Sequence, residues 1–256
     1  GALPSHEDLL DWLAVEFRES GWNIQHIIKL LVMSAAYRQD AVATDVELER
    51  DMDNRLLARG PRFRMDGEMV RDYALAASGL LVRQIGGPSV RPYQPSGVWE
   101  AVAIHGSNTR SYQQDSGDGL YRRSLYTFWK RSAPPASMEI FNAPAREFCV
   151  VARERTNTPL QALAAMNDVQ LVEAARRLAE AGIKNASTFD ERAHWISERA
   201  LSRPLNDVET SVVRQSWEQM LNHYEQHPDD AQQLLSYGEY ESDASLNQAE
   251  LAAWTM

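Results

Sequence analysis

The sequence holds a single cysteine, Cys149, in 256 residues. That excludes an internal disulfide framework, a Cys-based zinc cluster and a CxxCH haem attachment within the chain. With no base marked beside it, Cys149 reads as a small buried hydrophobe and not as a reactive thiol. Long apolar runs are also missing. The longest stretch, IIKLLVMSAAY, is broken by Lys29 and Ser34 and falls well short of the roughly 20 residues that a bilayer span needs. The opening GALPSHEDLLDWLAVEF has no basic start, no continuous apolar run and no small-residue cleavage site, so it does not read as a secretion signal. Positive charge is scarce: 26 Lys and Arg stand against 36 Asp and Glu, a net of -10, which argues against nonspecific binding to nucleic acid or anionic membranes. P-loop, GxGxxG, GxSxG and HExxH patterns are all lacking, and with them the common motifs that carry a mechanism.

What is present has ordinary globular proportions, 44% apolar and 24% charged, far from a disordered composition and long enough to bury a sizeable core. The charge is unevenly spread. Between Tyr121 and Leu160 seven basic residues face three acidic ones, whereas from Pro204 to Met256 ten acidic residues are offset by Arg214 alone.

Helical periodicity dominates. Ser5 followed by Asp8, with Leu9, Trp12, Leu13 and Phe17, predicts a helix over about 6–19 that Gly21 ends. Asn23 caps a second helix to near Tyr37, and the pair reads as a plain αα-hairpin because its polar side is too sparse for DNA readout. AVATDVELERDMDN reads as a loop. Asp66 starts a helix to about Arg83, stopped by Gly86 and Gly87, and Pro88 to Leu120 reads as a long irregular excursion. YRRSLYTFWKR and SMEIF around SAPPA suggest a short β-hairpin. Thr158-Pro159 is a strong helix start, Asn167 or Asp168 caps another helix ended by Gly182, and Asn206 with Glu209 boxes a long helix that follows one over about 189–201. Beyond Pro228 come a short helix near Ala231–Tyr237 and a final apolar run through Leu246, Leu251 and Trp254. That run carries no closing cap and gives the expectation of a truncated chain.

The densest polar constellation is Arg146, Glu147, Arg153, Glu154, Arg155 and Asn157, leading into the Pro159 helix. Two readings stand side by side: an ion-pair and capping network that fixes the loop, or arginine forks and Asn157 that bind a carboxylate, sulfate or phosphate near a helix start. Catalysis by paired carboxylates would draw on Glu147, Glu154, Asp115 or Asp118 and needs two of them in one cleft. Aromatic residues around the proline-rich excursion, Trp99 and Tyr112 among them, serve either as a sugar platform or as core, and core is the simpler reading. His223 and His227 at i, i+4 would present two imidazoles on one helix face, but exposed cations near a helix C-terminus explain them as well, so no metal is assigned.

Several strings together resemble one family: PSHEDLLDWLAVEFRESGWNIQHIIKLLVMSAAYRQ, GGPSVRPYQPSGVWE, YRRSLYTFWKRSAPPASMEIFNAPARE, CVVARERTNTPLQALAAMND and AELAAWTM. They are similar to domain of unknown function 1553, the planctomycete-specific, cytochrome c-associated family. The resemblance covers nearly the whole chain but brings no established catalytic residue. It implies a piece of a larger exported protein, periplasmic or at the cell surface, with no cofactor in this segment and haem c elsewhere in the full-length protein. Its partners would be other domains of the same chain or an anionic polysaccharide, with no nucleic acid and no membrane span here. One departure is Asn142, which stands in FNAP where the family pattern has FDAP.

The sequence thus predicts a mainly α, irregular multi-helix domain with a long loop-rich middle and one short β-hairpin. It is organised as 1–87, 88–157 and 158–256 in one compact unit. The expected role is an accessory or binding module engaging an anionic ligand or a neighbouring domain. The alternatives are a carbohydrate- or ester-acting hydrolase and an electron-transfer scaffold that docks a cytochrome c domain.

Overall fold

The computed structural model describes residues 3–256, and the chain divides into two compact units, one up to Arg64 and one from Met65 onward. The first unit opens with an αα-hairpin, α1 (Glu7–Glu19) and α2 (Ile24–Met33). Asn23 Oδ1 accepts the His26 N–H at 3.0 Å, the cap its sequence position predicts. Phe17 and Trp22 meet edge to face at 5.2 Å, and His26 lies 2.6 Å from Glu16 across the turn. The segment read as a loop contains a short helix instead, α3 (Asp45–Arg50), because Thr44 and Glu47 close a capping box. Arg59 then anchors the following turn by donating to the Asp51 and Met52 carbonyls, each at 2.8 Å.

The second unit is built around a polar helix. Its elements in order are α4 (Gly67–Ser78), α5 (Val98–Ala101), α6 (Asp118–Tyr121), a 3-10 turn at Ser124–Tyr126 and α7 (Ala136–Ile140). There follow α8 (Pro159–Asn167), α9 (Val169–Asn185), α10 (Phe189–Leu201), α11 (Asp207–Gln226), α12 (Pro228–Leu235) and α13 (Gln248–Thr255). The protein is mainly α, as expected. α4 stops earlier than predicted, at Gly79, which takes the left-handed φ of +79° that a residue with a Cβ adopts only under strain. The expected Asn206–Glu209 box forms, and Thr158 caps its helix in a box with Gln161; Thr188 and Glu191 form another box, not expected from the sequence. The expected Ser5–Asp8 box does not form, because the helix starts one residue later, with His6 at its N-cap and no side-chain cap bond.

The expected β-hairpin is not there. Residues 121–128 bond instead to the chain after α4: Val82 N–H donates to Tyr121 O, Val90 N–H to Tyr126 O and Phe128 N–H to Val90 O, at 2.7–3.0 Å. Arg122 strengthens this choice by donating to the carbonyls of Gln84, Gly86 and Pro88 while stacking on Tyr126. The intended partner SMEIF, released after two prolines, coils into α7. Local β propensity lost to a long-range set of backbone acceptors that a window of sequence does not contain.

Two apolar clusters flank α9. Leu75, Leu80, Leu120, Tyr121 and Ala174 form one; Ala179, Tyr224, Ala231, Leu235 and Leu251–Ala253 form the other. Phe189, Trp217 and Trp254 stack beside the second, with centroids 5.1–5.6 Å apart. Between the clusters α9 turns an unusual face inward. Gln170, Glu173, Arg176 and Glu180 are fully buried, whereas Leu171, Val172 and Leu178, the residues its apolar pattern offers for burial, are only partly covered.

Candidate functional site

Each residue of that buried stripe on α9 bonds backbone of another element, although Glu173 Oε2 and Arg176 Nε have no hydrogen-bond partner, so the stripe is the frame on which the loops are hung. Gln170 accepts from Arg71 Nε at 2.5 Å and donates to Leu120 O at 2.8 Å. Arg71 also donates to Arg122 O and Leu120 O, both at 2.7 Å, and burial brings its pKa down to about 10, leaving it a cation at neutral pH. Glu173 Oε1 accepts from three donors: Tyr121 OH at 2.9 Å, Tyr93 OH at 3.1 Å and the Tyr240 N–H at 2.7 Å. Burial, reinforced by this carboxylate, pushes the Tyr93 hydroxyl up to about 12 and Tyr121 higher still. Arg176 donates to Leu235 O and Tyr240 O, and Glu180 accepts the Asp243 N–H at 3.0 Å.

Where this frame meets α7 and α8, two hollows share Tyr93, Ser137 and Asp168. The inner one, of about 20 Å³, has room for about one water molecule. The outer one is an open cleft of about 460 Å³. Its walls are apolar, with Ile140 from α7 and Leu160 and Leu163 from α8, and Gln94, Gln114 and Asn167 bring amides to it. Leu160 and Leu163 are 55% and 54% exposed, so the α8 side of the cleft is an uncovered apolar surface.

Asp168 joins α8 to α9, closing the first and capping the second, and accepts the Gln170 and Leu171 N–H groups at 3.0 and 3.2 Å. Burial raises its pKa; the two backbone donors and the charge of Arg71 pull the other way without prevailing. A carboxyl with a raised pKa beside an apolar cleft is the arrangement expected of a ligand site.

The residues singled out from sequence are spread around this region. Arg153 forks onto Glu68 at 2.7 and 3.2 Å and lies 3.4 Å from Asp66. Arg146, in the left-handed region at φ +63°, stacks on Trp129 at 4.3 Å. Glu147 borders a separate concavity, wide and polar, with His105, Lys130 and Arg131. Glu154, Arg155 and Asn157 are exposed. Asn142 ties the turn together, donating to Thr156 Oγ1 at 2.8 Å from a left-handed backbone at φ +61°. Asp115 accepts the Arg91 N–H at 2.7 Å, and Asp118 sits in the short α6. Cys149 is exposed and not buried as expected, because Phe148, Val150 and Val151 around it are exposed too and form no core. Of the aromatic residues in the excursion, Trp99 is core: 3% exposed, it packs on the half-buried Tyr112 and on Phe128.

The cleft has no local signature in the sequence: Asp168 reads as a helix cap, and only the fold sets it beside Ile140, Leu160 and Leu163. The Asp168 cap was the available signal; its burial was not. A family model described as a protein of unknown function (DUF1553) matches residues 1–217. No curated protein and no solved structure matches the chain.

Proposed function

The chain belongs to the DUF1553 family of proteins of unknown function, and we propose that it is an accessory binding module whose working surface is the cleft beside Asp168. Its occupant is a short apolar polypeptide segment of a neighbouring domain. The observation that carries this reading is the uncovered pair Leu160 and Leu163 on a cleft of about 460 Å³ that also holds three side-chain amides. Apolar walls take alternate side chains of an extended segment; the Gln94 amide already bonds Pro134 O and the Ala136 N–H, and Asn167 bonds Leu163 O, so the apolar wall carries the binding. A sugar platform is disfavoured because Trp99 is spent in the core, and a binding fork at Arg153 is disfavoured because Glu68 already holds it. His105 and Arg131, on a concavity that Glu147 also lines and where Lys130 is tied to the Trp99 and Thr109 carbonyls, support a second reading, an anionic ligand bound there. Export of the parent protein and a haem c domain elsewhere in it belong to the same proposal and are supported by the family resemblance. No described helix is long and apolar enough to cross a membrane.

Panning a peptide library on the chain tests the main reading. Apolar peptides should be enriched, and Leu163→Arg should abolish their binding while the helical content is kept. No enrichment, or enrichment indifferent to Leu163→Arg, overturns it. Sulfated glycan binding that is lost in Arg131→Ala but kept in Leu163→Arg would favour the second reading.

A further inference from the structure

We propose that His223, His227 and Asp230 form a binding site for a divalent transition-metal ion of the zinc class. The site lies beyond residue 217, where the family match stops, and does not depend on the cleft. α11 ends at Gln226 and Pro228 opens α12, so the chain turns over and brings Asp230, in the first turn of α12, back beside His223. The i, i+4 histidine pair thereby gains a third donor that its own helix lacks.

The geometry suits a metal. His223 Nε2 and Asp230 Oδ2 are 2.9 Å apart, and the two imidazoles lie face to face, 4.6 Å between centroids and 19° from parallel. One ligand atom from each residue lies within 4.8 Å of the other two. In tetrahedral zinc sites, with bonds of about 2.0–2.2 Å, neighbouring ligand atoms are about 3.3 Å apart. All three side chains are exposed, so torsional adjustment closes that gap without disturbing a core. A second observation concerns the ring that does not meet Asp230. His227 Nδ1 lies 3.0 Å from the His223 carbonyl oxygen, a backbone anchor that fixes the ring and leaves Nε2 as the ligand, as in most metal-bound imidazoles. Two imidazoles and one carboxylate favour zinc, copper or nickel over calcium or magnesium, which prefer oxygen alone. Three protein ligands leave one position for water.

A bound ion would staple α11 to α12. Because Ala231 and Leu235 of α12 pack with Tyr224 and Leu251 in the second apolar cluster, the staple would be felt in the stability of that end of the fold.

The test is calorimetric titration of the chelator-stripped chain with zinc chloride, followed by thermal melting with and without zinc. Binding of one equivalent and a raised Tm are expected. His223→Ala and His227→Ala should each weaken binding by at least about tenfold, the cost already typical of losing an outer-shell partner. Cys149→Ser should leave it unchanged, which separates this site from the exposed thiol. Cobalt(II) absorption provides a readout independent of stability: visible bands in the wild type should vanish in both histidine variants. No one-equivalent binding in the wild type, or wild-type affinity in either histidine variant, overturns the proposal.

Discussion

Glu173 and Gly238 occupy one space: a Cβ on Gly238 would overlap the carboxylate of Glu173. Gly238 also holds φ at +85°, so two independent constraints select glycine there. The loop after α12 can therefore close over α9 and deliver the Tyr240 N–H to Glu173. Gly238→Ala should destabilise the protein by about 1–3 kcal/mol through backbone strain, with more from the displaced carboxylate. Urea denaturation measures it, and an unchanged midpoint would show that the loop does not need this close approach.

The phenols of Tyr93 and Tyr121 both donate to Glu173 Oε1, and Tyr93 also accepts the Glu239 N–H at 2.7 Å. A hydrogen bond to a buried charge contributes about 1.5–3 kcal/mol, so Tyr121→Phe should cost that much and Tyr93→Phe at least as much. Because the two share one acceptor, the double variant should depart from additivity by about 0.5–3 kcal/mol. A thermodynamic cycle from denaturant melts decides this, and strict additivity would mean that Glu173 does not couple them.

Asp168 gives stability an uncommon pH dependence. Its folded pKa is raised above 3.8 by burial, so the folded chain holds this proton more tightly than the unfolded one. The resulting stability is full below 3.8 and is lost as pH rises through the folded value. Glu209 has the opposite sign: Arg203 holds it down to about 2, and what it contributes is lost as pH falls from 4.5 toward that value. Asp168→Asn keeps an oxygen for the Gln170 and Leu171 N–H groups and removes the titration. The difference in stability between wild type and this variant should therefore decline with rising pH in the acid range. A flat difference would contradict the raised pKa.

Arg153 bridges to Glu68 and Asp66 with its side chain 36% exposed. After allowance for solvent screening, a cycle of Arg153→Ala with Glu68→Gln should yield a coupling of no more than about 1 kcal/mol. The same variants address the anion-binding reading. If Arg153 binds sulfated glycans, Glu68→Gln should free the fork and raise affinity; unchanged affinity leaves Arg153 a structural tie.

Much of this fold is written locally. Thr158 with Gln161, Asn206 with Glu209 and Asn23 form the caps their positions predict, since a cap needs only a side-chain oxygen within reach of N–H groups two or three residues away. The 3.6-residue period located most of the long helices for the same reason. Where the decision involved partners far along the chain, sequence alone misled: residues 121–128 took their hydrogen bonds from 82–90, and Cys149 found no core to enter. α3 is the exception, a local Thr44–Glu47 box inside a stretch whose polarity masked it.

The candidate sites divide in the same way. Sequence alone determined that the protein is helical and where its charge is concentrated, and it picked out His223 and His227 as a pair, because periodicity and i, i+4 spacing are properties of one helix. Only the tertiary structure decided that α9 buries Gln170, Glu173, Arg176 and Glu180 in preference to its leucines, that Asp168 lies beside an apolar cleft, and that Asp230 returns to the histidines. The physical reason is that burying a polar group is favourable only when its partners arrive with it. Those partners, the carbonyls of Leu120, Leu235 and Tyr240 among them, are about 50 to 64 residues from the side chains they satisfy.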